Sequence, residues 1–84
     1  MNHAAVETFQ KEYARLPLKI QKCVDNNFEV IKQYPNHPLL RLMNVEEYYS
    51  MRIDTRYRAV GIQEDDTIIW FWVGNYSQYK TDFL

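Results

Sequence analysis

Only one cysteine, Cys23, stands among the 84 residues, so the chain has no internal disulfide. Two glycines and three prolines leave no room for a flexible linker, a repeat or a low-complexity tract. No apolar run approaches the roughly 18 residues that a membrane-spanning helix needs. Met1–Val6 lacks the basic start and apolar core of a signal peptide. Reduced cysteine and no leader together give the expectation of a cytoplasmic protein with no membrane partner. Charge of one sign is also missing. Ten Lys/Arg face eleven Asp/Glu, a formal net charge of −1, so nothing pulls the whole chain toward nucleic acid or an anionic surface. His3, His37 and Cys23 have no metal-ligand spacing, so neither a metal nor a cofactor is implied.

Hydrophobic residues make up 46% of the chain and aromatics 15%, with 25% charged; this composition buries a core rather than staying disordered. The length predicts a single domain over 1–84. A domain of this size buries roughly 60–65% of its unfolded surface, which leaves stability marginal. The first half has helical period. Val6, Phe9, Tyr13 and Leu16 recur at spacings of three and four, and Ile20, Val24, Phe28 and Ile31 repeat the pattern after Pro17. Cys23 falls beside that second stripe. Pro35 disfavours helical geometry at Tyr34, so the second helix stops there, with His37 in the turn that follows. The second half has period two. Strands are expected near Leu39–Met43, Tyr48–Ile53, Tyr57–Ile62 and Thr67–Val73, with turns at Asn44–Glu47, Asp54–Arg56 and Gln63–Asp66. Tyr76–Leu84 reads as a short last helix. The predicted fold is α+β: an N-terminal helical hairpin on one face of a four-stranded antiparallel meander, closed by a C-terminal helix.

Register then sorts the side chains. Symmetric hairpins on those turns place Ile62 opposite Thr67, Ile53 opposite Tyr57 and Met43 opposite Tyr48. Opposed residues share a face. One face collects Leu40, Leu42, Tyr49, Met51, Ile53, Tyr57, Ala59, Gly61, Ile68, Trp70 and Trp72, without a charge, and is the face the helices cover. The other collects Arg41, Arg52 and Arg58 from three successive strands, with Tyr48, Ser50, Val60, Ile62, Ile69, Phe71 and Val73. A one-residue slip would bury the arginines under the helices, and unpaired buried charge costs several kcal/mol. Two readings of the arginine face stand side by side. It is a solvated face whose arginines pair with Glu46, Glu47 or Asp54, or it is a binding surface. Arginine forks bind phosphate bidentately, and the apolar groups beside them form a patch too large to leave bare.

Tyr57-Arg58-Ala59-Val60, a short acidic turn, Thr67–Val73 and Gly74 resemble the RelE/ParE superfamily of toxins from type II toxin–antitoxin systems, and more narrowly its RelE-like plasmid-stabilisation members. Leu16-Pro17, Ile20-Gln21, Pro35-Asn36-His37-Pro38 and Tyr49-Ser50-Met51-Arg52 are similar to that group as well, so the likeness covers nearly the whole chain. The resemblance implies a toxin neutralised by a cognate antitoxin. RelE-like members cut mRNA on the ribosome without a metal, as endoribonucleases; ParE-like members inhibit DNA gyrase. Residue by residue, it implies catalytic roles for Arg58 and Arg52, with Tyr76 or Tyr79 supplying a hydroxyl. It implies RNA or partner binding by Arg41, Arg56, Phe71 and Tyr48. Relatives of the nuclease branch carry an Arg or His just after the Gly that closes the last strand; here Asn75-Tyr76 stands there. That departure supports the alternative, a non-catalytic ParE-like or degenerate member acting by protein binding to gyrase or antitoxin. Many relatives also begin with a strand; Met1–Ala5 is short for one.

Overall fold

The computed structural model describes residues 1–84. In chain order it contains β1 (Asn2–Ala5), α1 (Glu7–Ala14), α2 (Leu18–Gln33), a 3-10 turn (Pro38–Leu40), β2 (Met43–Val45), β3 (Tyr48–Asp54), β4 (Tyr57–Glu64), β5 (Thr67–Asn75) and α3 (Tyr76–Phe83). The α+β class is as the sequence predicts. The sheet, however, has five strands in the order β1-β5-β4-β3-β2, and it is mixed. The extra strand is β1, which lies parallel to β5 with His3 opposite Ile68 and Ala5 opposite Trp70. Four residues give no alternation to read. β1 exists because the edge of β5 offers unpaired backbone groups, and Asn2 N–H and Val6 N–H donate to the Asp66 and Trp70 carbonyls at its two ends.

The helices form where the apolar stripes predict. Val6 is the residue before α1 and is exposed, so the working stripe of α1 starts at Phe9. Pro17 precedes α2, where a missing N–H costs nothing. α1 packs over β5 and α2 over β3, both on the same side of the sheet. Between them and the sheet lie Phe9, Ile20, Val24, Ile31, Leu40, Met51, Ile53, Ala59, Ile68, Trp70 and Val73. Trp70 is wholly buried at the centre, and the Phe28 ring meets it edge-on at 5.5 Å. Burying a side chain of that size contributes about 1.5–3 kcal/mol.

The first predicted strand, Leu39–Met43, is not a strand at its start. His37 Nδ1 accepts from Leu39 N–H, Pro38 opens a 3-10 turn, and Arg41 ends it in the left-handed region at φ 44°. Pairing begins only at Met43. The three hairpin tips shrink to two residues each. In two of them Glu46 and Asp65 adopt positive φ at the first tip position, as tight hairpin turns require. These tighter tips move Met43 opposite Ser50 and Ile62 opposite Ile69. Both moves are of two residues, so no side chain changes face.

Two β-bulges do change faces. In β3, Arg52 opposes Arg58 and Asp54 opposes Tyr57, which leaves Ile53 unpaired. In β5, Gly61 opposes Trp70 and Val60 opposes Trp72, which leaves Phe71 unpaired. Beyond Phe71 the alternation inverts. Trp72 therefore leaves the helix-covered face that its spacing from Trp70 predicts, and Val73 takes its place in the core. Val60 is not part of an exposed patch either. It is fully buried, because α3 folds back from the end of β5 over this second face.

Candidate functional site

On the second face, Arg41, Arg52 and Arg58 line one cavity of about 160 Å³, together with Met43, Ser50, Tyr76, Tyr79 and Leu84. Each arginine reaches it by a different route. Arg41 is presented by the left-handed residue that ends the 3-10 turn. Such a conformation costs a non-glycine residue about 1–3 kcal/mol and persists only where its surroundings impose it. Arg52 and Arg58 stand directly opposite one another in neighbouring strands. Like charges in that position repel.

No carboxylate offsets them. The two ion pairs of the molecule, Lys11–Glu7 and Lys32–Glu29, both lie on the helices. The pairing of these arginines with Glu46, Glu47 or Asp54 side chains that a solvated face would show does not occur. Arg58 is held instead by backbone oxygens. Its Nη1 donates to the Asp54 carbonyl at 2.6 Å and the Tyr57 carbonyl at 2.9 Å, and its Cζ sits 4.7 Å from the centre of the Tyr76 ring. Arg52 Nη2 donates to Thr55 Oγ1 at 3.1 Å. Burial lowers the pKa of Arg58 below its ordinary value, and the Arg52 charge adds to that; the tyrosines partly oppose it. The guanidinium stays protonated, but its charged form is under-compensated. An anion in the cavity relieves both the desolvation and the repulsion.

α3 closes the other side. Asn75 Oδ1 caps it by accepting from Gln78 N–H, and Tyr76 N–H donates to the Arg56 carbonyl. Tyr79 is buried, its ring 6.5 Å from Trp72. Phe83 is surrounded by Tyr48, Phe71 and Trp72 at 5.2–6.2 Å. Gly74, opposite Arg58, leaves the space that the Trp72 ring fills; a Cβ there would fall 2.7 Å from that ring.

Seven of the eight residues singled out in the sequence thus fall into two adjoining groups. Arg41, Arg52, Arg58, Tyr76 and Tyr79 meet at the cavity. Phe71 and Tyr48 lie under Phe83, half-covered rather than free. The eighth residue, Arg56, is exposed at the hairpin tip and outside the cavity. Ser50, which is buried at the cavity floor, and Met43 and Leu84 at its rim carry no chemical signal in the sequence beyond their register.

No family model matches the chain, and no curated protein sequence matches it. Solved structures do. A copper-bound mutant toxin from Helicobacter pylori aligns over 93% of this chain and 97% of its own, with a TM-score of 0.72 at 18% identity. The RelB–RelE antitoxin–toxin complex of Methanococcus jannaschii aligns over 96% and 99%, with a TM-score of 0.71 at 23% identity. The intact E. coli RelBE toxin–antitoxin complex aligns over 87% and 93%, at 0.64 and 17%. A YoeB/ParE toxin from Agrobacterium tumefaciens covers 90% of this chain at 0.67 and 14%. At such identities the likeness is one of fold, and it extends over nearly the full length of both partners: this chain has the fold of the RelE/ParE superfamily of toxins.

Proposed function

We propose that the protein is a toxin of a type II toxin–antitoxin system that binds RNA backbone in the Arg41–Arg52–Arg58 cavity and acts on mRNA at the ribosome. One observation carries this reading: three arginines converge with no carboxylate side chain between them, and two of them are directly opposed. A phosphodiester is an anion that a planar guanidinium fork binds bidentately. RNA cleavage without a metal would run through attack of a ribose 2′-hydroxyl on the neighbouring phosphorus. The 2′-oxygen bond to phosphorus forms, the bond to the 5′-oxygen breaks, and the 2′ proton passes to an acceptor while the leaving oxygen gains one. Arg58 and Arg52 would meet the charge that builds on the phosphorane. Tyr76, Tyr79 and Ser50 bring hydroxyl groups to the same cavity. No imidazole or carboxylate side chain lines the cavity, so proton transfer is the weak step and slow turnover is expected. The fold-level likeness to solved toxin–antitoxin complexes supports an antitoxin protein as the partner.

The same shortage of a base favours a second reading, in which the protein acts by binding alone, on DNA gyrase or only on its antitoxin. Induced expression in cells separates them. Growth arrest with cut transcripts, both removed by Arg58→Ala, is the expected result. Arrest with intact transcripts would eliminate the nuclease and leave the binding reading, which inhibition of gyrase supercoiling by purified protein then tests.

A further inference from the structure

Both bulges are tied to the helix layer by a polar side chain. Thr8 Oγ1 of α1 donates to the Phe71 carbonyl at 2.9 Å. Asn27 of α2 reaches the other bulge, where its Nδ2 donates to the Arg52 carbonyl at 2.8 Å and the Ile53 carbonyl at 3.1 Å. A bulge leaves carbonyls without their ladder partners, and a half-buried carbonyl left unpaired is costly. One primary amide has two hydrogens, and here each carbonyl receives one. Asn27 is itself half-buried, in an α2 whose other inward residues, Ile20, Val24, Phe28 and Ile31, are apolar.

We infer that Asn27 is a positioning residue of the arginine site. It acts through the sheet: its amide holds the backbone of Arg52 and Ile53 in the bulged geometry. That geometry keeps the Arg52 side chain in the cavity beside Arg58 and keeps Ile53 in the core. Without the amide, the Arg52 and Ile53 carbonyls lose their donors and the bulge loosens, so the Arg52 backbone is no longer fixed beside Arg58. The helix layer thereby determines the spacing of two guanidinium groups on the opposite face. The consequence for ligand binding rests on the reading of that site as an RNA-backbone site.

The test is a double-mutant cycle on single-stranded RNA binding, with Asn27→Ala, Arg52→Ala and both together, alongside urea unfolding of each protein. Asn27→Ala should weaken RNA binding by about tenfold, the loss of roughly one charge-assisted contact, while still unfolding cooperatively. The double variant should bind no more weakly than Arg52→Ala, since Asn27 acts only through Arg52. Unchanged affinity in a folded Asn27→Ala, or additive losses, would overturn the inference. If Asn27→Ala does not fold, Asn27→Ser keeps one donor and is read the same way. If the wild-type protein binds no RNA, the functional reading fails but the positioning role is still read chemically. Phenylglyoxal should then modify Arg52 faster in Asn27→Ala than in the wild type, and equal rates would overturn it.

Discussion

Arg58 meets two demands with one side chain. Its Nη1 fastens the β3–β4 turn through the Asp54 and Tyr57 carbonyls, while the guanidinium plane lies on Tyr76 and faces the cavity. A lysine there keeps the charge but not the fork, so it can serve one demand at a time. Arg58→Lys should therefore lose most RNA binding and also lower stability by about 1 kcal/mol, read from the urea midpoint. His3 is a second residue whose protonation state is coupled to packing. Its Nδ1 accepts the Trp70 indole N–H at 3.1 Å, and its ring stacks on that indole. Burial lowers its pKa from 6.5, and the N-terminal ammonium and Lys32 lower it further. Because the folded value lies below the unfolded one, the unfolded chain binds the extra proton. The stabilisation is fully present above the unfolded value of about 6.5 and is lost progressively as pH falls from there through the lower folded value. The acceptor role needs only a neutral oxygen or nitrogen, so His3→Asn should hold its melting temperature more nearly constant between about pH 7 and pH 5 than the wild type does.

At the scale of the elements, the fold depends on where alternation is broken. The β5 bulge sits opposite Val60 and Gly61. Gly61 lacks a side chain for a steric reason: a Cβ would fall 2.8 Å from Ile68 Cγ2 and 2.9 Å from the Ile69 carbonyl oxygen. The carbonyl belongs to the β-ladder and cannot move aside. Gly61→Ala should thus destabilise by about 1–3 kcal/mol, an overpacking cost, measured by the urea midpoint. The body of the β3–β4 pairing, with Tyr48 opposite Ile62 and Arg52 opposite Arg58, was legible in the sequence because an uncharged face and an arginine face admit only one register. The hairpin tips were less so, but an error of two residues is silent for faces. The bulge at Phe71 was illegible. Trp70, Phe71 and Trp72 are all large and aromatic, so composition cannot say which of them is the extra residue; only the packing of Phe83 against Phe71 and Trp72 and of Val73 against the helices reveals it. Arg41 was assigned to the arginine face for the wrong local reason, a strand where the backbone makes a left-handed turn.

For the molecule as a whole, the relevant contrast is between a net charge of −1 and a local cluster of three cations. Charge over the rest of the surface gives RNA no long-range attraction, so affinity must come from the cluster and from groups that stack or pack beside it. Counterion release then sets a limit. Each neutralised phosphate of a single strand contributes about −0.7 to the slope of log K against log salt. Three arginines allow a slope of about −2, and Arg41→Ala, Arg52→Ala or Arg58→Ala should each reduce its magnitude by about 0.7. A strongly basic RNA-binding protein would give a much steeper line from many diffuse contacts. Titration of a labelled RNA oligomer from low to moderate salt distinguishes the cases. A slope near −2 that falls stepwise with each arginine removed identifies the cavity as the site of contact. A slope that none of the three substitutions changes would mean that RNA meets some other surface, and a slope near zero would mean that phosphate is not what the arginines hold.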